Sequence, residues 1–254
     1  MSELKEAWMA LERHWKIVPS DTRISGDKSY AMMRWTLAPF FRMILRVKIR
    51  GMKNVPKSGP TILAANHLSH VDPLVVILAS RRKTHYLAKE GHFRNIALAT
   101  FMRATGQIET NRDTGGGEAL SSAAVALHAK RALGIFPEGT RSKRDEPPYL
   151  LPGKTGVARL AASYPEVPVV PIGLTGTRDF MTPSKHKFPR LWRTVGISYG
   201  KSVTWLEWLE KRAVLSDLQA LANKEDHEVK PALSAMYREF TDELMERIRG
   251  QGAP

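Results

Sequence analysis

Thr61-Ile62-Leu63-Ala64-Ala65-Asn66-His67-Leu68-Ser69-His70-Val71-Asp72-Pro73 decides the fold class. The unbroken apolar run 61–65 reads as a strand. A short polar loop follows. Pro73 suits the first turn of a helix, where its missing N–H goes unneeded. Asp72 just before it reads as an N-cap. Strand, loop and helix in this order form half of a βαβ unit.

The same alternation extends outward. Apolar or β-branched runs stand at 46–50, 61–65, 84–88, 106–110, 132–136, 168–174 and 194–199, with helical stretches at 73–81, 94–103, 117–131 and 155–163. This predicts an α/β fold with a largely parallel central sheet flanked by helices. Ligands in such sheets gather beyond the carboxyl ends of strands. Both 66–72 and 136–142 fall there.

The ends of the chain have a different pattern. Leu4, Trp8, Leu11 and Trp15 recur at helical spacing, so 3–16 reads as an amphipathic helix. Residues 29–46 read as a second, richer in Met, Trp and Phe, with Arg34, Arg42 and Arg46 along one side and Pro39 as a kink. An apolar body with arginines on one side suits a helix lying in a lipid headgroup layer. Leu233, Met236, Tyr237, Phe240, Leu244 and Ile248 mark a further amphipathic helix that packs on the core. The expected organisation is a helical membrane-associating region at 1–45, a catalytic domain at 46–213 and a helical extension at 214–254.

Composition narrows the function classes. Cys is absent, which excludes a disulfide framework, a thiolate metal site and a Cys nucleophile. No run of eighteen apolar residues predicts a spanning helix, and 1–16 lacks the pattern of a secretory signal. The expected location is therefore the cytoplasmic face of the cell membrane, as a peripheral or monotopic protein. Thirty-nine basic against 25 acidic residues, a formal charge of +14, draws polyanions: nucleic acid, anionic lipid, an acidic carrier protein or phosphate substrates.

Chemistry resides in a few residues. His67 stands five residues before Asp72. Histidine is the side chain suited to deprotonating a hydroxyl near neutral pH, and a carboxylate on its other nitrogen fixes the tautomer. Phe136-Pro137-Glu138-Gly139-Thr140-Arg141-Ser142 supplies an acid, a permissive glycine and an arginine able to grip a phosphate. Arg112, closing the run that begins at Gly106, and Lys89, after Tyr86-Leu87-Ala88, are further cations at strand ends. The set points to acyl transfer onto a hydroxyl of a phosphate-bearing acceptor. His67, His70 and Asp72 are also potential metal ligands, but no H-E-x-x-H pattern accompanies them, and no metal or other cofactor is expected.

These blocks, in this order, resemble the glycerolipid acyltransferases that include the lysophosphatidic acid acyltransferases. The family pattern N-H-x4-D corresponds to Asn66, His67 and Asp72; its glycine–apolar–arginine block to Gly106, Ile108 and Arg112; its F-P-E-G-T-R-S block to 136–142; and its proline-containing apolar strand to 167–173. Lys154-Thr155-Gly156-Val157-Ala158 is similar to the segment after the third block. The resemblance covers roughly 46–200. It implies His67 as general base with Asp72 as its partner, and Arg112, Glu138, Gly139 and Arg141 binding the glycerol phosphate; Asn66 and Thr140, inside the same blocks, and Lys89 are read as further substrate-binding candidates. It also implies acyl-CoA or acyl carrier protein as co-substrate and a membrane-surface setting. Where the family's second block has an apolar residue and often an acid, this chain has Thr110 and Asn111. The expected acceptor is 1-acylglycerol-3-phosphate. The alternatives are another acceptor (a glycolipid, an amino lipid or another lysophospholipid), a phospholipid-dependent transacylase, and a non-enzymatic module binding RNA or membrane.

Overall fold

A computed structural model describes residues 2–22, 46–89, 106–110, 116–182, 192–212 and 215–254, together with residues 24, 32, 35, 36, 39, 96, 99, 100, 102 and 190. Among these, β1 (Arg46–Arg50), β2 (Thr61–Ala65), β3 (Thr84–Lys89), β4 (Ile108–Thr110), β5 (Ala132–Ile135), β6 (Val169–Thr175) and β7 (Thr194–Tyr199) form one mixed sheet of order β1-β7-β6-β2-β5-β3-β4. All pairings are parallel except β6 with β7, where Ile172 faces Tyr199 and Thr175 faces Gly196. Each strand expected from the sequence is present. The antiparallel junction brings the starts of β1 and β7 to the edge where β2 to β6 end.

β2 lies near the middle and every one of its residues is buried. Its side chains alternate between faces. Ile62 and Ala64 join one apolar cluster with Leu133, Val157 and Leu160; Leu63 and Ala65 join another with Val75, Tyr86, Ile172 and Ile197. Helices α3 (Asp72–Ala79), α4 (Gly116–His128) and α5 (Gly156–Ser163) follow strands β2, β4 and β5. Short α6 (Thr177–Phe180) follows β6. Of the helix expected at 94–103, residues 96, 99, 100 and 102 are described, all helical.

The expected amphipathic helix at 3–16 is two, α1 (Ser2–Met9) and α2 (Glu12–Trp15), broken at a turn. Its apolar stripe faces the protein. Leu4, Trp8, Leu11 and Trp15 are all buried in the larger apolar cluster. The Trp8 and Trp15 rings stack at 5.5 Å, and each indole N–H is satisfied, Trp8 by Ala162 O and Trp15 by Trp8 O, both at 3.0 Å. Removing a tryptophan buried in this way costs about 3–5 kcal/mol. Periodicity reveals the apolar side of a helix but not what covers it. Of the second expected amphipathic segment, Met32, Trp35, Thr36 and Pro39 are helical, with Met32 and Trp35 67% and 84% exposed. The rest of 29–45 lies outside the described residues. No helix among the described residues is long and apolar enough to cross a membrane.

Beyond β7 come α7 (Trp205–Arg212), α8 (Leu215–Ala222) and the long α9 (Asp226–Gly250). The last two fall within the helical extension expected at 214–254, although 214–230 carries only a weak apolar pattern. Leu218 and Leu221 anchor α8, since both are buried. The α9 stripe Leu233, Tyr237, Phe240, Leu244 and Ile248 enters the same cluster as α1, with Trp205 stacked obliquely between Trp8 and Phe240.

Candidate active site

The chain leaves β2 through Asn66, which is fully buried. Its amide bridges to β6: Nδ2 donates to Leu174 O at 3.1 Å and Oδ1 accepts from Leu174 N at 2.7 Å. Both ends of this side chain thereby serve the sheet rather than open space. His67 follows and turns to the edge.

Asp72 is the first residue of α3, with Val71 at the N-cap, one position earlier than expected. Its carboxylate folds back over the preceding loop. Oδ2 accepts from His67 Nδ1 at 2.8 Å, Leu68 N at 2.6 Å and Ser69 N at 2.7 Å. The group is wholly buried, and the imidazole is 17% exposed. Three hydrogen bonds on one oxygen fix the direction of the carboxylate. With Nδ1–H donating to the carboxylate, the Nε2 lone pair is the one left for a ligand.

The second block arrives from β5 and encloses His67. The Phe136 ring stacks on the imidazole at 4.0 Å and 10°, and on Tyr86 at 5.2 Å. Tyr86 in turn lies flat on Gly134, where any Cβ would enter its ring. Glu138 is buried, and its two oxygens accept from main chain on opposite sides: Oε1 from His67 N at 2.6 Å and Oε2 from Leu151 N at 2.8 Å. Ser142 N donates to His67 O at 3.2 Å. The main chain of His67 is therefore held at both its N–H and its carbonyl by the 136–142 block. Burial pushes the Glu138 carboxyl up to about 7; the two amides and Arg144 pull it down, and the charge of Asp72 adds to the rise.

Gly139 has φ +70°, a left-handed turn that favours glycine. Its bare face is covered by Lys154: a Cβ there would lie 2.9 Å from Cδ and 3.1 Å from Nζ. Thr140 is exposed, and the Arg141 guanidinium rests against the His70 imidazole. His67 and His70 thus diverge, one to Asp72 and the other to Arg141. No cluster of three metal-ligating side chains occurs among the described residues. Arg178, beyond β6, donates to Ser142 O at 3.3 Å and to Arg144 O, and lies 4.5 Å over the Tyr149 ring.

The edge therefore gathers His67, Asp72, Glu138, Gly139, Thr140 and Arg141. Lys89 ends β3 at this edge, opposite Thr110. Arg112 lies outside the described residues. Four participants were not singled out from the sequence: Phe136 and Tyr86 as the wall behind His67, Lys154 over Gly139, and Arg178 bracing the loop. Phe136 and Lys154 had a signal, since Phe136 opens the third block and Lys154-Thr155-Gly156 follows it closely.

Comparisons with known proteins show which family the chain resembles. The 1-acyl-sn-glycerol-3-phosphate acyltransferase of Borreliella burgdorferi is 27% identical over 143 residues, 54% of this chain and 54% of that protein. That of Bacillus subtilis is 26% identical over 51% of this chain and 63% of its own length. That of Saccharomyces cerevisiae is 30% identical over 63% and 54% respectively. The match thus spans between about half and two-thirds of each relative. The crystal structure of the 1-acyl-sn-glycerophosphate (LPA) acyltransferase PlsC from Thermotoga maritima superposes with a TM-score of 0.55 at 19% identity, covering 85% of this chain and 78% of that one, and shares the fold. The family model described as Acyltransferase matches residues 46–175, just over half the chain and all the blocks around the site. The chain belongs to the acyltransferase family.

Proposed function

We propose that this protein transfers an acyl group from a thioester, acyl-CoA or acyl carrier protein, to the hydroxyl of 1-acyl-sn-glycerol-3-phosphate, giving phosphatidic acid. The observation that carries the reading is the His67 imidazole, 17% exposed and 2.8 Å from a buried Asp72 carboxylate, which leaves its other nitrogen for an acceptor hydroxyl. The acceptor hydroxyl gives its proton to Nε2 as its oxygen attacks the thioester carbonyl. The tetrahedral intermediate collapses, the carbon–sulfur bond breaks, and the thiolate takes the proton from Nε2. Asp72 holds the ring and stabilises the imidazolium. General base catalysis of this kind contributes on the order of 10²–10⁴ in rate.

Arg141 carries the acceptor phosphate, with Arg112 as its partner and Lys154 as a third cation over Gly139. Glu138 and Asn66 act one layer back, on main chain. The net charge of +14 and the exposed Trp35 and Met32 support work at an anionic membrane surface, on its cytoplasmic face. The names of the relatives support 1-acylglycerol-3-phosphate as acceptor. The test is purified protein with labelled acyl-CoA and a panel of lysolipids. Transfer fastest to 1-acylglycerol-3-phosphate supports the reading; equal or faster transfer to phosphate-free acceptors removes it.

A further inference from the structure

The loop 149–154 has no regular secondary structure, yet three successive amides in it find acceptors far away in sequence. Tyr149 N and Leu150 N both donate to Pro254 O, at 3.1 and 2.9 Å. Leu151 N donates to Glu138 Oε2 at 2.8 Å. Glu138 Oε1 accepts from His67 N at 2.6 Å. A continuous chain of hydrogen bonds thus runs from the segment after α9 to the main chain of His67.

That segment is itself anchored. Gln251 Oε1 accepts from Ser198 Oγ at 2.9 Å. Its main chain and amide lie against Gly173 and Gly200, where a Cβ would collide with them. Ala253 is buried. Upstream, α9 holds the same loop a second time: Arg238 donates to Gly153 O at 2.8 Å, and Thr241 and Met245 close on the bare Cα of Gly153.

We propose that residues 251–254 are a positioning element of the transfer site, fixing the 149–154 loop so that Leu151 supports Glu138 and Glu138 fixes the base. This rests on His67 as the transferring base. A buried carboxylate that loses one of two amide donors is less stable as an anion. It then takes a proton more readily, and a protonated Glu138 accepts poorly from His67 N. The charged groups bearing on it are Asp72, which favours the proton, and Arg144, which opposes it.

The experiment deletes Ala253 and Pro254 from the full chain. Transfer from a long-chain acyl-CoA to 1-acylglycerol-3-phosphate is followed across pH, with folding checked by circular dichroism and melting. The expected result is a folded protein whose kcat falls about tenfold or more, with both KM values within about twofold and the acid limb of kcat moved to higher pH. The variant P254A, which returns the main-chain oxygen, rescues the rate. A folded deletion with wild-type kcat overturns the proposal, as does a loss of kcat with an unmoved acid limb. If the deletion does not fold, the same outcomes are read on Q251A, which loosens the segment without removing it. H67A is the control. An active H67A defeats the reading of the base, whereas an inactive H67A beside a fully active deletion defeats the positioning proposal alone.

Discussion

Asn66-His67-Leu68-Ser69-His70-Val71-Asp72 turns one imidazole outward and folds its carboxylate in, whereas most of Phe136-Pro137-Glu138-Gly139-Thr140-Arg141-Ser142 faces His67 from behind. In the first block, Asp72 aligns the ring through a single oxygen shared with Leu68 and Ser69 main chain. In the second, Phe136 stacks on the ring, Glu138 and Ser142 grip the main chain of His67, Thr140 is exposed and Arg141 rests against His70. A motif of seven specified residues is thus mostly support for a group that lies in another motif. The reactive part and the supporting part should fail differently when mutated, and that difference is measurable.

The largest effect is expected in the first block. Asp72→Asn keeps the shape but loses the anion that sets the tautomer, and kcat should fall on the order of 10³–10⁴ with acceptor KM nearly unchanged. Steady-state kinetics on folded protein checks this. A fall of less than tenfold would make Asp72 a helix-start residue only.

Glu138→Gln is next. One of the two amides loses its acceptor, for a loss of about 1.5–3 kcal/mol, or roughly ten- to a hundredfold in kcat. The pH behaviour separates this from a simple loss of stability. Glu138 titrates at about 7 in the fold against an ordinary 4.5. It binds its proton more tightly when folded, so its contribution favours the fold below about 4.5 and is lost as pH rises through about 7. Activity runs the other way, because only the ionised carboxylate accepts from both amides. In Glu138→Gln, the fall in stability between these pH values should flatten, and the acid limb of kcat should lose its Glu138 component. Melting curves and rate profiles across pH read both.

Arg141→Ala should lower kcat/KM for a phosphate-bearing acceptor by about ten- to a hundredfold, a loss of about 1.5–3 kcal/mol, with Arg141→Lys restoring only part because it lacks the planar fork. Phosphate-free acceptors should be little affected. Equal losses on both kinds of acceptor would move Arg141 into the supporting set. The smallest effect is expected for Lys154→Met, which keeps the aliphatic cover over Gly139 and removes the charge. A fewfold rise in acceptor KM, lessened by salt, is the expected outcome, and no change in KM at low salt would leave Lys154 as packing alone.

The contrast between the blocks also explains what was legible in the sequence. The contact of His67 with Asp72 was readable because an imidazole five residues before a carboxylate is within reach of it through one loop. The seven strands were readable because buried strands are short apolar runs between turns, Thr61–Ala65 above all. The supporting network was not, since it is built from main-chain atoms such as Leu151 N and Pro254 O, which have no residue signature. The direction of β7 was also hidden, because nothing in 194–199 distinguishes a parallel partner of β6 from an antiparallel one. The stripe of Leu4, Trp8, Leu11 and Trp15 was clear, but its partner was not. Trp205, Trp208 and Phe240 cover it from nearly two hundred residues away or more.

The central claim is that His67 is the group that takes the acceptor's proton. Its most direct test is the turnover of folded His67→Ala with labelled acyl-CoA and 1-acylglycerol-3-phosphate, beside wild type with a matching circular dichroism spectrum and melting temperature. The account predicts a loss on the order of 10³ or more in kcat with both substrates still bound. Wild-type turnover by folded His67→Ala would contradict it.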